Sequence, residues 1–250
     1  MSVARRRLLI GGLCLCGTAI FRSVSAKSDT NIQGEGQCFF DSAVSQAAAG
    51  DIRNSLYRHS SGDPGRDQTV SDLLFRTART YDIAQAELPT FRFIPVTVKG
   101  DGFATDETVE PDTKGLVALN LRLLSAAGAD MLPITGFEVI LAHEFAHIFQ
   151  IRNRDIEKLQ NNGYHSREIE LHADYMAGWC ISQRGELTTA ALQGVAETLF
   201  SRGDKNPDVT LHHGTKTERI SAVLKGYLSG GSTDVARAAS INGMGYINSL

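Results

Sequence analysis

Two histidines that flank a glutamate are the residues of this chain with the clearest chemical meaning. Residues 143–147 read His-Glu-Phe-Ala-His, and side chains four positions apart lie one turn apart on the same face of an α-helix. Both imidazoles can therefore bind one metal ion, while the glutamate between them lies close enough to take a proton from water. The spacing predicts a zinc site with His143 and His147 as ligands and Glu144 as the general base.

A catalytic zinc site needs a third protein ligand, because three side chains bind the ion and the fourth position is kept for water. One known arrangement has a glycine three residues and a histidine six residues after the second histidine. This chain has Gln150 and Asn153 there, which excludes that arrangement. A carboxylate from a later helix is the alternative, and Glu170 is the predicted ligand, with Glu157 and Glu168 in reserve.

A second acid follows Glu170 at helical spacing. Asp174 lies four residues later, so both acids share one helix face. From there Asp174 can accept the second ring N–H of a metal-bound histidine, which leaves the other nitrogen of that ring for the metal. His172, between the two acids, is predicted to point away from the metal. The competing interpretation is that Glu170 and Asp174 are ordinary surface acids.

The histidine motif lies on a predicted helix, and the chain after residue 133 is predicted to be almost entirely helical. Thr135 is a suitable N-cap for that helix, and Glu138 three residues later completes a capping box. The other predicted elements are helices over residues 39–58, 70–81, 166–184 and 189–202, a helix from Thr215 with a second capping box to Glu218, and strands over residues 91–98 and 116–123.

Two expectations concern the region between the early helices and the motif. Residues 99–114 contain several acidic side chains without the spacing of a calcium loop, and they predict a solvated loop. Residues 116–123 alternate in polarity and could form a sheet edge to which an extended peptide adds through main-chain hydrogen bonds. The alternative for this second segment is an ordinary core strand.

Several motifs in the same order resemble one class of zinc peptidase. They are Gly-Leu-Val-Ala-Leu-Asn at 115–120, Leu-Ala-His-Glu at 141–144, Glu-Leu-His-Ala-Asp at 170–174 with Ala-Gly-Trp at 177–179, and His-Gly-Thr at 213–215 followed by Glu-Arg-Ile at 218–220. With these motifs the chain resembles the gluzincins. Within them it is similar to the bacterial neutral zinc metallopeptidases and to the soluble cores of CAAX-prenyl-type and heat-shock-type metalloendopeptidases, over residues 115–230.

The resemblance implies a mainly α (α+β), zincin-like helical domain with a small β-sheet beside the active-site helix. It implies one zinc ion that polarises the scissile carbonyl and activates water, with Glu144 as the base. The oxyanion that forms needs a hydrogen-bond donor, and His213 and Arg219 are the candidates. Alternatively His213 is a loop histidine, or one of His212 and His213 caps the zinc in a resting state. The alternatives for Arg219 are a surface cation and a partner of Asp174.

The first residues have the pattern of an export signal. Three arginines at 5–7 precede an apolar run over 8–21, and Val-Ser-Ala at 24–26 offers a cleavage site. The arginines also fit the twin-arginine route, and an uncleaved anchor is the minor alternative. Cleavage would leave residues 27–250, a length that suits a single zinc metallopeptidase domain. The segment contains four arginines and no acid, so its loss makes a chain of net charge −3 more acidic.

These expectations define the predicted function and its rivals. The leading hypothesis is an exported, periplasmic or secreted zinc metalloendopeptidase that acts on protein or peptide substrates of the cell envelope. The acidic charge argues against nucleic acid as a partner, and no stable membrane span is expected after cleavage. The rivals are a non-catalytic zinc-binding module and a chance motif in a helical structural protein. Cys38 and Cys180 could form a disulfide or remain two buried thiols.

Overall fold

The described residues form seven α-helices and one three-stranded sheet. The computed structural model describes residues 57–98, 100–124, 132–161, 163, 166–185, 187–199 and 213–250, all within one compact unit. Outside these residues lie the predicted signal over 1–26, most of the predicted helix over 39–58, Cys38, His165, His212 and most of segment 201–214. The predicted fold class, mainly α with a small sheet, is confirmed. Among the described residues, no helix has the length and apolar composition needed to cross a membrane.

The elements follow one another along the chain in a simple order. The helices are α1 (Pro64–Thr80), α2 (Leu132–Arg152), α3 (Asp155–Asn161), α4 (Ser166–Ser182), α5 (Thr189–Leu199), α6 (Lys216–Ser229) and α7 (Ala236–Ile247), and the strands are β1 (Thr90–Ile94), β2 (Gly102–Thr105) and β3 (Leu116–Asn120). The predicted helices over 166–184 and 189–202 correspond to α4 and α5. Helices α3 and α7 lie in the region that was predicted only in general terms to be helical.

The first helix, α1, begins and ends where its sequence indicates. The Asp63 carboxylate caps it by accepting hydrogen bonds from two backbone N–H groups, and Pro64 suits the first turn because its missing N–H would have no partner there. Tyr81 follows the helix, and its hydroxyl donates a 2.9 Å hydrogen bond to the carbonyl oxygen of Ala142. The helix predicted over residues 70–81 is therefore confirmed, and its end is bonded to α2.

The sheet has the order β1-β3-β2, so β3 is its central strand. It pairs in parallel with β1 and antiparallel with β2, and all five of its residues are buried. The expectation that residues 116–123 form an edge for peptide addition is wrong, and the core-strand alternative is right. The strand ends at Asn120 and continues as a 3₁₀ helix, Leu121–Leu124.

Strand β2 lies inside the acidic segment 99–114, for which a loop was predicted. The four residues Gly-Phe-Ala-Thr are too few to show an alternating pattern, yet all four are buried. The strand exists because it pairs with β3, with Gly102 opposite Leu119 and Thr105 opposite Leu116. The loop prediction is therefore wrong for Gly102–Thr105, where tertiary pairing overrides local composition.

Helix α2 is buried on nearly every side and brings the histidine motif into the core. Every residue over 143–150 is buried. The helix begins at Leu132, because Pro133 is tolerated in a first turn, so Thr135 lies inside it and the predicted capping box is wrong. Glu138 instead forms an ion pair with Arg184, just after α4.

Helices α4 and α6 contact each other through two glycines. A Cβ atom on Gly178 would overlap the carbonyl oxygen of Val223, and a Cβ atom on Gly226 would overlap that of Tyr175. Only glycine permits two helix backbones to approach so closely. Because Glu170 lies on α4, this contact brings the start of α6 close to the predicted ligand.

Candidate metal centre

Three of the predicted ligands lie together in the protein interior. The two Nε2 atoms of His143 and His147, one turn apart on α2, are 3.0 Å apart. The Glu170 carboxylate reaches them from α4, with its two oxygens 3.3 Å from His143 Nε2 and 3.6 Å from His147 Nε2. The exposed fractions of the three side chains are 3%, 0% and 1%. These residues form one buried cluster that could hold a metal ion.

The dimensions and chemistry of this cluster fit a divalent metal ion. Bonds of about 2.0–2.1 Å around a tetrahedral zinc ion hold neighbouring ligand atoms about 3.3 Å apart, and the three distances in the cluster scatter around that value. Both Glu170 oxygens are buried and accept no hydrogen bond from the described residues. A buried carboxylate in that position is costly unless a cation neutralises it.

The charge states of the cluster also suit metal binding. Burial would raise the pKa of the Glu170 carboxyl, but the imidazoles of His147 and His143 hold it well below its usual value, so the carboxyl is ionised. Burial lowers the pKa of His147 to about 3, so this ring is neutral. A carboxylate and a neutral imidazole are the protonation states that a metal ion requires of its ligands.

Asp174 lies behind His143 and is shared with Arg219. Its Oδ1 atom is 2.8 Å from Nδ1 of His143, which leaves Nε2 facing the cluster. The Arg219 guanidinium donates two hydrogen bonds to Asp174, one of 2.7 Å from Nε and one of 2.9 Å from Nη2. Burial would raise the pKa of the Asp174 carboxyl, but the charges of Arg219 and His143 lower it. Asp174 is therefore an ionised, fully buried support for one ligand.

His143 is held between two carboxylates. Burial alone would lower its pKa, but Asp174 and Glu170 raise it to about 10. The imidazole therefore holds a proton at neutral pH until a metal ion displaces it. Arg219, which donates two hydrogen bonds to Asp174, adds a second positive charge beside that carboxylate.

His213 reaches the cluster from the segment before α6. Its Nδ1 atom is 3.4 Å from Oε1 of Glu170, and the side chain is 14% exposed. Gly214 has a φ of +92°, a conformation that favours glycine, and this turn precedes the predicted capping box, which is present with Thr215 and Glu218 in reciprocal hydrogen bonds. The local sequence thus places both His213 and Arg219 beside Glu170, and their catalytic roles stay predictions.

Glu144 is buried, with 2% of its surface exposed, and it faces the short strand β2. A Cβ atom on Gly102 would lie 3.0 Å from Oε1 of Glu144 and 2.5 Å from a methyl group of Leu119. Glycine at position 102 therefore leaves the space that the predicted base occupies. Sequence reasoning missed Gly102, because no local pattern relates it to a helix that begins 30 residues later.

The reserve ligands and the other histidines lie elsewhere. Glu157 is 61% exposed and lies 3.7 Å from Arg154, and Glu168 forms a 2.6 Å ion pair with Arg167.

His59 is exposed, as expected. His172 is buried and points away from the cluster, as predicted: its ring nitrogens lie near Gln150 and Ser240. Sequence reasoning missed this contact, since the partners are 22 and 68 residues apart from His172.

Cys180 lies fully buried on α4. Burial raises the pKa of its thiol to about 12, so the thiol is protonated and unreactive at neutral pH. Its predicted partner, Cys38, lies outside the described residues, and the disulfide stays a prediction.

Comparisons with models of known protein families, with curated protein sequences and with solved structures gave no match. The resemblance to gluzincins therefore depends on the motif residues and on the geometry they adopt in this chain. That geometry consists of a buried two-histidine, one-carboxylate cluster, a glutamate next to its first histidine, and a carboxylate–arginine pair behind it.

Proposed function

We propose that this protein is an exported zinc metalloendopeptidase of the gluzincin type, which hydrolyses peptide bonds in proteins of the cell envelope. The single observation that supports the proposed zinc chemistry is the cluster of His143, His147 and Glu170, whose ligand atoms lie 3.0–3.6 Å apart. A buried glutamate, Glu144, directly follows the first histidine. Two imidazoles and one carboxylate are the ligand set of thermolysin-like catalytic zinc sites.

Zinc, when bound by these three residues, supplies a Lewis acid that polarises a carbonyl group and makes water more acidic. Structural zinc sites close all four positions with protein ligands and need no base. The described residues offer three ligands in one cluster and an acid, Glu144, that is not one of them. This combination favours catalysis over a purely structural role.

Glu144 is the proposed general base. It takes a proton from the attacking water as the oxygen adds to the scissile carbonyl carbon, and it then delivers that proton to the nitrogen of the leaving amine as the C–N bond breaks. The Glu144 side chain is nearly fully buried, and it directly follows the first histidine of the cluster in the chain. Gly102 supports this role because a larger residue would push against the carboxylate.

His213 and Arg219 have different proposed roles. Two N–H groups of Arg219 already bind Asp174, so its main role is to hold that carboxylate against His143. The Nδ1 atom of His213 lies 3.4 Å from Oε1 of Glu170, beside the metal cluster. We therefore assign His213 as the donor that stabilises the oxyanion formed at the substrate carbonyl.

Export and the substrate class are supported by the sequence of the N-terminal segment rather than by the fold. An arginine-rich start, an apolar run and a small-residue site are the features of a cleaved signal. Mass spectrometry of the protein recovered outside the cytoplasm should find Lys27 as the first residue. A cytoplasmic protein that retains residues 1–26 would contradict this part of the proposal.

The test of the proposed activity is a protease assay on an unfolded test protein, with metal analysis of the same samples. The Glu144→Gln variant should keep zinc and lose cleavage, because the amide cannot accept the proton from water. Glu197→Gln, a change of an exposed glutamate on α5, is the matched control and should cleave normally. Stoichiometric zinc without chelator-sensitive cleavage by the unmodified protein would refute the proposal and favour the non-catalytic zinc module.

A further inference from the structure

A buried chain of hydrogen bonds connects His147 to the C-terminal helix α7. The Nδ1 atom of His147 lies 2.7 Å from Oε1 of Gln150. The Nε2 atom of Gln150 lies 2.9 Å from the carbonyl oxygen of Ile169 and 2.9 Å from Nδ1 of His172. The Nε2 atom of His172 then lies 3.0 Å from the carbonyl oxygen of Ser240. All three linking side chains are completely buried.

The backbone carbonyls of Ile169 and Ser240 determine which atoms of this hydrogen-bond chain donate and which accept. A carbonyl oxygen only accepts, so His172 donates from Nε2 to Ser240. The Ile169 carbonyl oxygen also only accepts, so the Gln150 atom 2.9 Å from it is the amide nitrogen, and the same nitrogen lies 2.9 Å from Nδ1 of His172, which must accept. The amide NH₂ of Gln150 must therefore donate to both His172 and Ile169.

The orientation of Gln150 then determines the tautomer of His147. With the amide nitrogen directed to its two acceptors, Oε1 of Gln150 is the atom that faces His147, and an amide oxygen only accepts. His147 must donate from Nδ1, which leaves a lone pair on Nε2, the nitrogen that lies 3.6 Å from Glu170. The reversed amide would place oxygen against the carbonyl of Ile169, so it is excluded.

We propose that Gln150 and His172 are positioning residues, which fix His147 in the tautomer and ring orientation that bind zinc through Nε2. The two ligands on α2 would then be oriented by different groups: an ionised carboxylate, Asp174, for His143, and a neutral amide for His147. The inference rests on the zinc site of the proposed function, and it does not depend on peptide hydrolysis.

Helix α7 supports this chain although it has no residue in the cluster. The Ser240 hydroxyl donates a 2.6 Å hydrogen bond to Asp155, whose other oxygen accepts a 2.8 Å hydrogen bond from Arg237. Gly243 lies against His172, since a Cβ atom there would be 3.0 Å from the imidazole ring. Helix α7 is therefore held at a fixed distance from the His172 ring, which donates a hydrogen bond to its backbone at Ser240.

The test compares zinc affinity in variants of the full-length protein. Gln150→Met keeps the size of the side chain and removes its hydrogen bonds, and it should weaken zinc binding about 10- to 100-fold in competition with a chelator. His172→Phe keeps a ring without nitrogens and should weaken binding in the same direction. Val70→Ala is the matched control: it removes part of a buried apolar side chain of α1 that lies outside the hydrogen-bond chain, so it should lower thermal stability and leave zinc affinity unchanged.

A spectroscopic readout separates positioning from general loss of stability. In ¹⁵N-histidine spectra of the zinc-loaded protein, the Nδ1 proton of His147 should be visible and slow to exchange with water, and it should exchange rapidly in Gln150→Met. Unchanged zinc affinity in Gln150→Met, or an equal loss in Val70→Ala, would overturn the inference. Wild-type protein that binds no zinc would overturn both this inference and the proposed function, whereas bound zinc without hydrolysis would refute only the latter.

Discussion

Replacing Asp174 with asparagine removes one negative charge from the point where a ligand and an arginine meet. Asp174 is fully buried and makes three contacts of 2.7–2.9 Å with His143 and Arg219. Asparagine can still accept from His143, but it removes the nearer of two carboxylates that face the guanidinium of Arg219, which is only 12% exposed; the other, Glu170, lies 3.9 Å away. Breaking a buried ion pair in this way costs about 3–5 kcal/mol, and we expect a loss near the lower value, because the asparagine oxygen retains some hydrogen bonding.

The same substitution should weaken zinc binding about 10- to 100-fold, because a neutral amide raises the basicity of His143 less than a carboxylate does. Urea unfolding of the metal-free protein and chelator competition measure the two effects separately. Asp72→Asn, at an exposed position on α1, is the matched control and should change stability by less than about 0.5 kcal/mol. If Asp174→Asn matches this control in both measurements, the assignment of Asp174 as the support of His143 is wrong.

Two further predictions concern the helix contact and the protons of the site. Gly226→Ala should destabilise the protein by about 1–3 kcal/mol, because the added methyl group overpacks against the Tyr175 carbonyl. Gly231→Ala is the control and should not destabilise it, since a Cβ atom at that position meets nothing within 4 Å. Equal unfolding midpoints for the two variants would contradict the close contact of α4 and α6. Asp174 and Glu170 raise the pKa of His143 to about 10 despite its burial, so below that pH zinc must displace a proton from His143. The apparent affinity of the protein for zinc should therefore rise about tenfold per pH unit between pH 7 and pH 9. An affinity that does not change with pH would mean that His143 is not protonated in the metal-free protein.

The parts of the site that sequence could predict are those set by local spacing. His143, Glu144 and His147 share one helix, and Glu170 and Asp174 share another, so the four-residue period alone indicates which side chains lie on one face. The capping box of Thr215 and Glu218 is likewise local, and it is present.

The parts that sequence could not predict depend on contacts between distant residues. Strand β2 forms because β3 pairs with it, and nothing within its four residues indicates a strand. Thr135 has the composition of an N-cap, but the helix extends back to Leu132. The space that Gly102 leaves for Glu144 and the bond between Gln150 and His172 join residues from different elements, so no periodicity could reveal them.

The proposed metal site depends on Glu170 as its third ligand, and metal analysis of Glu170→Ala tests this assignment. The wild-type protein should contain one zinc ion per chain after dialysis, and the variant should contain almost none, because two imidazoles alone leave the site incomplete. Circular dichroism of both proteins would establish that the variant is folded. A folded Glu170→Ala protein that binds zinc as tightly as the wild type would show that Glu170 is not a zinc ligand.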